Sequence, residues 1–163
     1  AHPDYGDRRF DLSQESVAVI GMGNVAVDVV RILARTPGEL QGTDIAGYAL
    51  EALRESRVRD IHMIGRRGPV QAAFTNPELK ELGEMAGADI DVRAAELDLD
   101  PASARLLADG EDRAAEKNLE TLRSFAAKAA PRASGIVPPT TPVAVMNPAS
   151  RATICMEPPL PPQ

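Results

Sequence analysis

A chain of 163 residues suits one domain around one core. Its 44% hydrophobic and 26% charged residues are ordinary for a soluble globular protein, and a 3% aromatic share without tryptophan leaves that core to aliphatic side chains. A formal net charge of −6 argues against nonspecific binding to nucleic acid or anionic membranes, and a single cysteine, Cys155, excludes an internal disulfide framework or a cysteine-rich metal centre.

No apolar run approaches the roughly 18 residues that a bilayer span needs. The first residues, Ala1-His2-Pro3-Asp4, show no apolar signal core. The expectation is a cytoplasmic protein with no membrane and no nucleic-acid partner.

Taken in chain order, residues 1–15 read as a polar lead-in loop. Ser16 to Gly21 (SVAVIG) is β-branched and apolar, as a buried strand requires. Gly21-Met22-Gly23 is a turn. Asn24 to Arg35 then shows helical spacing, with Val25, Val29, Ile32 and Leu33 on the expected inner face. Pro37-Gly38 breaks the pattern.

A helix is predicted from Asp44 to Glu55, with Thr43 as N-cap and Ile45, Ala49, Leu50 and Leu53 as its apolar stripe. Val58 to Gly65 predicts a second strand, Thr75 to Ala86 a third helix and Ala88 to Arg93 a third strand. Glu111 to Ala130 predicts a long amphipathic helix with Leu119, Leu122 and Phe125 on one side. The alternation implies an α/β fold: a Rossmann-like parallel sheet with helices on both faces, over residues 16–136. Residues 137–163 are rich in proline and predict an irregular tail, partly disordered, with room for a short strand at Pro142–Met146.

Gly21-Met22-Gly23-Asn24-Val25-Ala26 fits G-x-G-x-x-A, the dinucleotide fingerprint. Gly21 allows a sharp turn after the strand, Gly23 allows backbone to approach a pyrophosphate, and the helix N-terminus offers unpaired N–H groups to an anion. The same pattern also suits a tight β–α turn in another doubly wound domain. At the end of the second strand, where NAD-binding units place an acid, stand Arg66 and Arg67. Guanidinium forks match a 2′-phosphate and so point to NADP, the alternative being a solvated basic turn. The gap from Gly21 to Arg66 is longer than the usual 20 or so residues, and the helix at 44–55 accounts for it. Glu78 stands three residues after Thr75, a capping-box spacing that would explain it without a ligand.

These residues resemble a known family, the adrenodoxin-reductase-type ferredoxin–NADP reductases. His2-Pro3-Asp4 with Asp11-Leu12-Ser13 resembles the family's lead-in loop, and Gly21 to Ala26 with Asp28 its G-x-G-N-V-A-x-D turn. Thr43-Asp44-Ile45 matches a helix start, and Gly65-Arg66-Arg67-Gly68-Pro69 with Gln71-Ala72-Ala73-Phe74-Thr75 a more specific signature, continued by Pro77-Glu78-Leu79. The resemblance spans residues 1–130.

It implies NADP as cofactor, with Asn24 and the Val25 backbone at the pyrophosphate or nicotinamide side, Arg66 and Arg67 at the 2′-phosphate and Glu78 reaching in from the next helix. It implies hydride transfer from NADPH to FAD and onward electron transfer to a ferredoxin-like iron–sulfur partner. The FAD motif of the family is not found here, so FAD is not expected to bind this chain, no catalytic or metal-ligating residue is assigned, and the chain alone is expected to lack turnover. Dimerisation is left open. Rival readings are a nonenzymatic dinucleotide-binding or interaction module and the NADPH-binding part of a glutamate-synthase-like flavoenzyme. A short-chain reductase is disfavoured because neither Tyr5 nor Tyr48 has Lys four residues on.

Overall fold

The computed structural model describes residues 10–85, 87–128 and 150–156. Four strands, β1 (Ser16–Ile20), β2 (Asp60–Gly65), β3 (Ala88–Val92) and β4 (Ser150–Met156), form one sheet in the order β1-β2-β4-β3. Every neighbouring pair is parallel. The α/β class and parallel sheet expected from the alternating pattern are therefore present.

β4 corrects one expectation. It arises within the proline-rich stretch that predicts an irregular tail, and it takes an interior place, Met63 pairing Ile154 and Val92 pairing the same residue from the other side. Without it β2 and β3 would have no contact through the ladder. The prolines around the segment SRATICM hide its strand character, although Thr153, Ile154 and Cys155 suit a buried strand. The short strand predicted at Pro142–Met146 lies outside the described residues, as do residues 1–9.

The helices are α1 (Asn24–Ala34), α2 (Pro37–Leu40), α3 (Gly47–Arg54), α4 (Asn76–Gly83), α5 (Pro101–Ala108) and α6 (Arg113–Lys128). α1, α4 and α6 share one aliphatic core with the sheet. It is built from Val27 and Val30 of α1, Ile61 and Met63 of β2, Leu79 and Leu82 of α4, Leu119, Leu122 and Phe125 of α6, and Ile154 of β4. Leu119, Leu122 and Phe125 line up on one side of α6, as their spacing predicts.

α1 buries a different face from the one its spacing suggests. Ala26, Val27, Val30 and Ala34 face the core, while Val25, Val29 and Ile32 are exposed. The helix is apolar nearly all round, so two stripes compete. The buried stripe is Ala26, Val27, Val30 and Ala34, with Leu33 partly buried against the same core.

α3 begins later than predicted. Ala46 stands at its N-cap, while the Thr43 hydroxyl donates to the Leu40 carbonyl at 2.7 Å. Its expected stripe is only half-buried, and no α3 residue is fully buried. The Pro37-Gly38 break is a short helix with a complete capping box, Thr36 and Glu39 bonding reciprocally. α5 adds a helix to those predicted, and Asp100-Pro101 is its start signal: Asp100 accepts from the amides of Ala102 and Ser103.

Gly83, at the end of α4, lies under the Phe125 ring; a Cβ there would fall 2.9 Å from Cζ, with Cε1 nearer still. Phe125 is buried and cannot step aside freely. Gly83→Ala is therefore expected to destabilise the chain by about 1–3 kcal/mol through overpacking, despite alanine's better helix propensity. Denaturant unfolding checks this; an unchanged or raised midpoint would show that the α4–α6 contact is slack.

Candidate dinucleotide-binding site

The predicted site residues gather at the carboxyl edge of the parallel sheet, where α/β folds hold ligands. β1 ends at Ile20, and the Gly21 amide donates to the Ile64 carbonyl at 2.9 Å, so the turn starts flush against the end of β2. Gly21 has φ of +136°, a conformation that side chains rarely adopt. Gly23 is the N-cap of α1 with φ of −120°, and no side chain caps the helix there. The first amides of α1 thus lack intrahelical acceptors and point out of the helix end. A Cβ at Gly23 would meet nothing within 4 Å. Neither backbone conformation nor packing within the described residues requires glycine at that position. An approaching ligand backed against the turn would.

β2 ends at Gly65, and Arg66 and Arg67 follow, both exposed. Gly65 is required by packing, since a Cβ there would crowd Met22, with Sδ at 3.0 Å and Cγ nearer. Met22 therefore lies across the end of β2 and locks the glycine turn to the arginine turn. Among the described residues no ion pair involves Arg66 or Arg67. Two guanidinium groups thus stand at the sheet edge, just past the carbonyl that anchors Gly21.

The chain then returns to the glycine turn. The Ala73 amide donates to the Met22 carbonyl at 2.7 Å, and Gly23 and Ala73 form a parallel bridge. The Asn24 side-chain oxygen accepts from the Thr75 amide at 2.8 Å. This bond commits one half of the Asn24 amide to α4 and leaves its NH₂ as a donor at the mouth of α1. Thr75 is the N-cap of α4, but its side chain makes no capping bond. The capping-box explanation of Glu78 therefore fails. Glu78 is half-buried, and its Oε2 is shielded from solvent with no hydrogen-bond partner. A buried carboxylate oxygen without a donor is costly, and a ligand hydroxyl or amide would satisfy it.

Other residues singled out from the sequence serve the frame. Phe74 is buried in the core, and its carbonyl accepts from the Asn118 amide at 2.9 Å. Gln71 donates to Ser103 at 3.0 Å. Asp28 lies 3.5 Å from Arg31, which also pairs with Glu81 at 2.8 Å. His62 is half-buried on β2, with its Nδ1 unpartnered, and burial holds its pKa below the usual imidazole value.

Two supports of the site do not follow from the sequence motifs. Asn76 bonds the Lys117 carbonyl, Asn118 and Thr121, fastening the start of α4 to α6. The signal for it is a pair of buried polar residues, Asn118 and Thr121, on the apolar side of α6. Glu96, in the 3-10 turn Ala94–Leu97, accepts from the Met156 amide at 2.7 Å. Burial pushes its carboxyl above the usual range, opposed by that amide and by Arg93. Among the described residues no group of three or more His, Cys, Asp or Glu could hold a metal ion.

Known proteins are similar to this chain in sequence and in fold. A probable ferredoxin/ferredoxin–NADP reductase of Mycobacterium bovis is 56% identical over 89 residues, 55% of this chain and 15% of its own length. The mitochondrial NADPH:adrenodoxin oxidoreductase of Arabidopsis thaliana is 48% identical over 102 residues, 62% of this chain and 21% of its own. The chain is thus similar to part of the adrenodoxin-reductase-type ferredoxin–NADP reductases. A solved structure of Mycobacterium tuberculosis FprA in complex with NADPH superposes over 95% of this chain and 30% of its own, with a TM-score of 0.77 and 35% identity. The chain spans less than a third of the length of each of these proteins, and no family model matches it. Among the described residues no helix is long and apolar enough to cross a membrane.

Proposed function

We propose that this chain is the NADP(H)-binding unit of an FAD-dependent ferredoxin–NADP reductase. The observation that carries the reading is the meeting, on one sheet edge, of an uncapped glycine turn with two exposed arginines. The pyrophosphate sits on the α1 N-terminus, cradled by the amides after Gly23, with Val25 supplying a backbone donor and Asn24 its NH₂. Arg66 and Arg67 take the 2′-phosphate through charge-assisted bonds. Glu78 accepts from a ribose hydroxyl or the nicotinamide amide, which would satisfy its buried oxygen. The names of the relatives, reductases of ferredoxin or adrenodoxin using NADPH, support the same reading.

In the whole reductase, NADPH gives hydride to FAD, and a ferredoxin-like iron–sulfur protein takes the electrons one at a time. FAD supplies the two-electron to one-electron conversion, while the residues described here bind and aim the nicotinamide dinucleotide. A reducing cytoplasmic setting belongs to the same reading, as does self-association through the exposed Val25, Val29 and Ile32 stripe.

Calorimetric titration with NADPH and NADH tests this. The expected result is at least tenfold tighter binding of NADPH, one charge-assisted bond being worth about 1.5 kcal/mol or more. Equal affinities would overturn the assignment of the arginine turn.

A further inference from the structure

We infer that Glu96 is a positioning residue for the Arg66–Arg67 turn, acting through the end of β4, and so sets the preference for a 2′-phosphorylated dinucleotide. The inference rests on the NADP reading above. The bond on which it turns, between Glu96 and Met156, lies outside the glycine and arginine motifs.

β3 and β4 pair from Ala88↔Ser150 to Val92↔Ile154 and no further, because β3 then leaves the sheet for the 3-10 turn at Ala94–Leu97. β4 runs two residues longer, and Met156 pairs with Gly65 of β2. The Met156 amide finds no further β3 residue in register. Glu96 fills the gap, its carboxylate accepting from that amide at 2.7 Å. A side chain thus stands in for a missing strand carbonyl, two residues past the last β3–β4 pair.

Those two residues matter because of what lies beside them. Gly65 is the last residue of β2 and the one immediately before Arg66. On its other flank β2 is tied by Ile64 to Gly21 and by Gly65 to Met22. The base of the arginine turn is therefore held from both sides, by the glycine turn on one and by Met156 on the other. Only the second hold depends on Glu96. The side chain is well seated for this: it is 12% exposed, and its Oε1 lies 3.6 Å from Arg93. With Met156 loosened, Gly65 loses its neighbour and the two guanidinium groups sample a wider range of positions. A fork aimed at a phosphate loses more from such motion than backbone contacts to a pyrophosphate do.

The test is titration of the full chain with NADPH and with NADH, as parent, Glu96→Gln, Glu96→Asp and Glu96→Ala. Glutamine keeps a carbonyl acceptor at the same reach and should retain the NADPH preference within about twofold. Alanine removes the acceptor, and aspartate keeps the charge while withdrawing it by one methylene; both should weaken NADPH by about tenfold, some 1.4 kcal/mol, and NADH by less than twofold. Backbone amide exchange at Gly65 and Arg66 should quicken in the alanine and aspartate variants and not in the glutamine one. If the parent prefers NADPH and all three variants keep that preference, the inference is wrong and the NADP reading stands. Parallel weakening of NADPH and NADH would also overturn it, marking Glu96 as a purely structural residue. A parent with no preference removes the NADP reading and this inference together. Should the alanine variant not fold, the aspartate variant decides.

Discussion

Replacing Arg66 and Arg67 together with alanine is expected to weaken NADPH binding by roughly 100-fold while leaving NADH binding within about twofold. Hydrogen bonds to charged groups contribute about 1.5–3 kcal/mol each, so two would give about 3 kcal/mol or more. Both side chains are exposed, and solvent and salt reduce the figure, so the lower bound is the working value. Replacing both with lysine should recover part of the loss, since charge remains while the planar fork does not. Raising ionic strength should weaken NADPH more than NADH in the parent and erase that difference in the alanine pair. Isothermal calorimetry at two salt concentrations reads all of this. A double variant that still binds NADPH more tightly than NADH would mean that another group holds the 2′-phosphate.

Leu122→Ala is expected to be strongly destabilising. Leu122 is fully buried on α6, within the cluster that joins α6 to α4 and the sheet. Truncating such a leucine costs about 2–5 kcal/mol, the lost transfer energy plus the cavity left behind. At about 2–4 °C per kcal/mol for a chain of this size, Tm should fall by roughly 5–20 °C. Ile32→Ala is the matched control: the same kind of truncation on a residue 45% exposed should change stability by no more than about 0.5 kcal/mol. Thermal unfolding of the two variants beside the parent decides. A Leu122 variant losing less than the Ile32 variant would mean that α6 is not packed as described.

Much of the site is legible in the amino-acid sequence. A glycine turn needs a strand before it and a helix after it, and both are local patterns that hydrophobic periodicity reports directly. For that reason β1, the Gly21–Gly23 turn and α1 lie where the pattern predicts, with small differences at their boundaries. Arg66 and Arg67 are located by counting to the end of β2, again a local matter. The role of Glu78 is not legible, because a capping box and a ligand contact share one sequence signature. The structure rules out the capping box, because the Thr75 amide bonds Asn24 instead, a contact across 51 residues.

By itself, then, the sequence determined most element types other than β4 and α5, the parallel class of the sheet and where glycine, arginine and acid stand along the chain, since each follows from neighbours a few residues apart. The tertiary structure alone decided what depends on distant partners. It set β4 between β2 and β3, a pairing of strands far apart in the chain that strand composition does not encode. It chose the Ala26, Val27, Val30 and Ala34 face of α1 for the core over a competing apolar stripe. It set Glu96 against Met156 across 60 residues, where an unpaired strand amide needed an acceptor and the only requirement on the residue was reach.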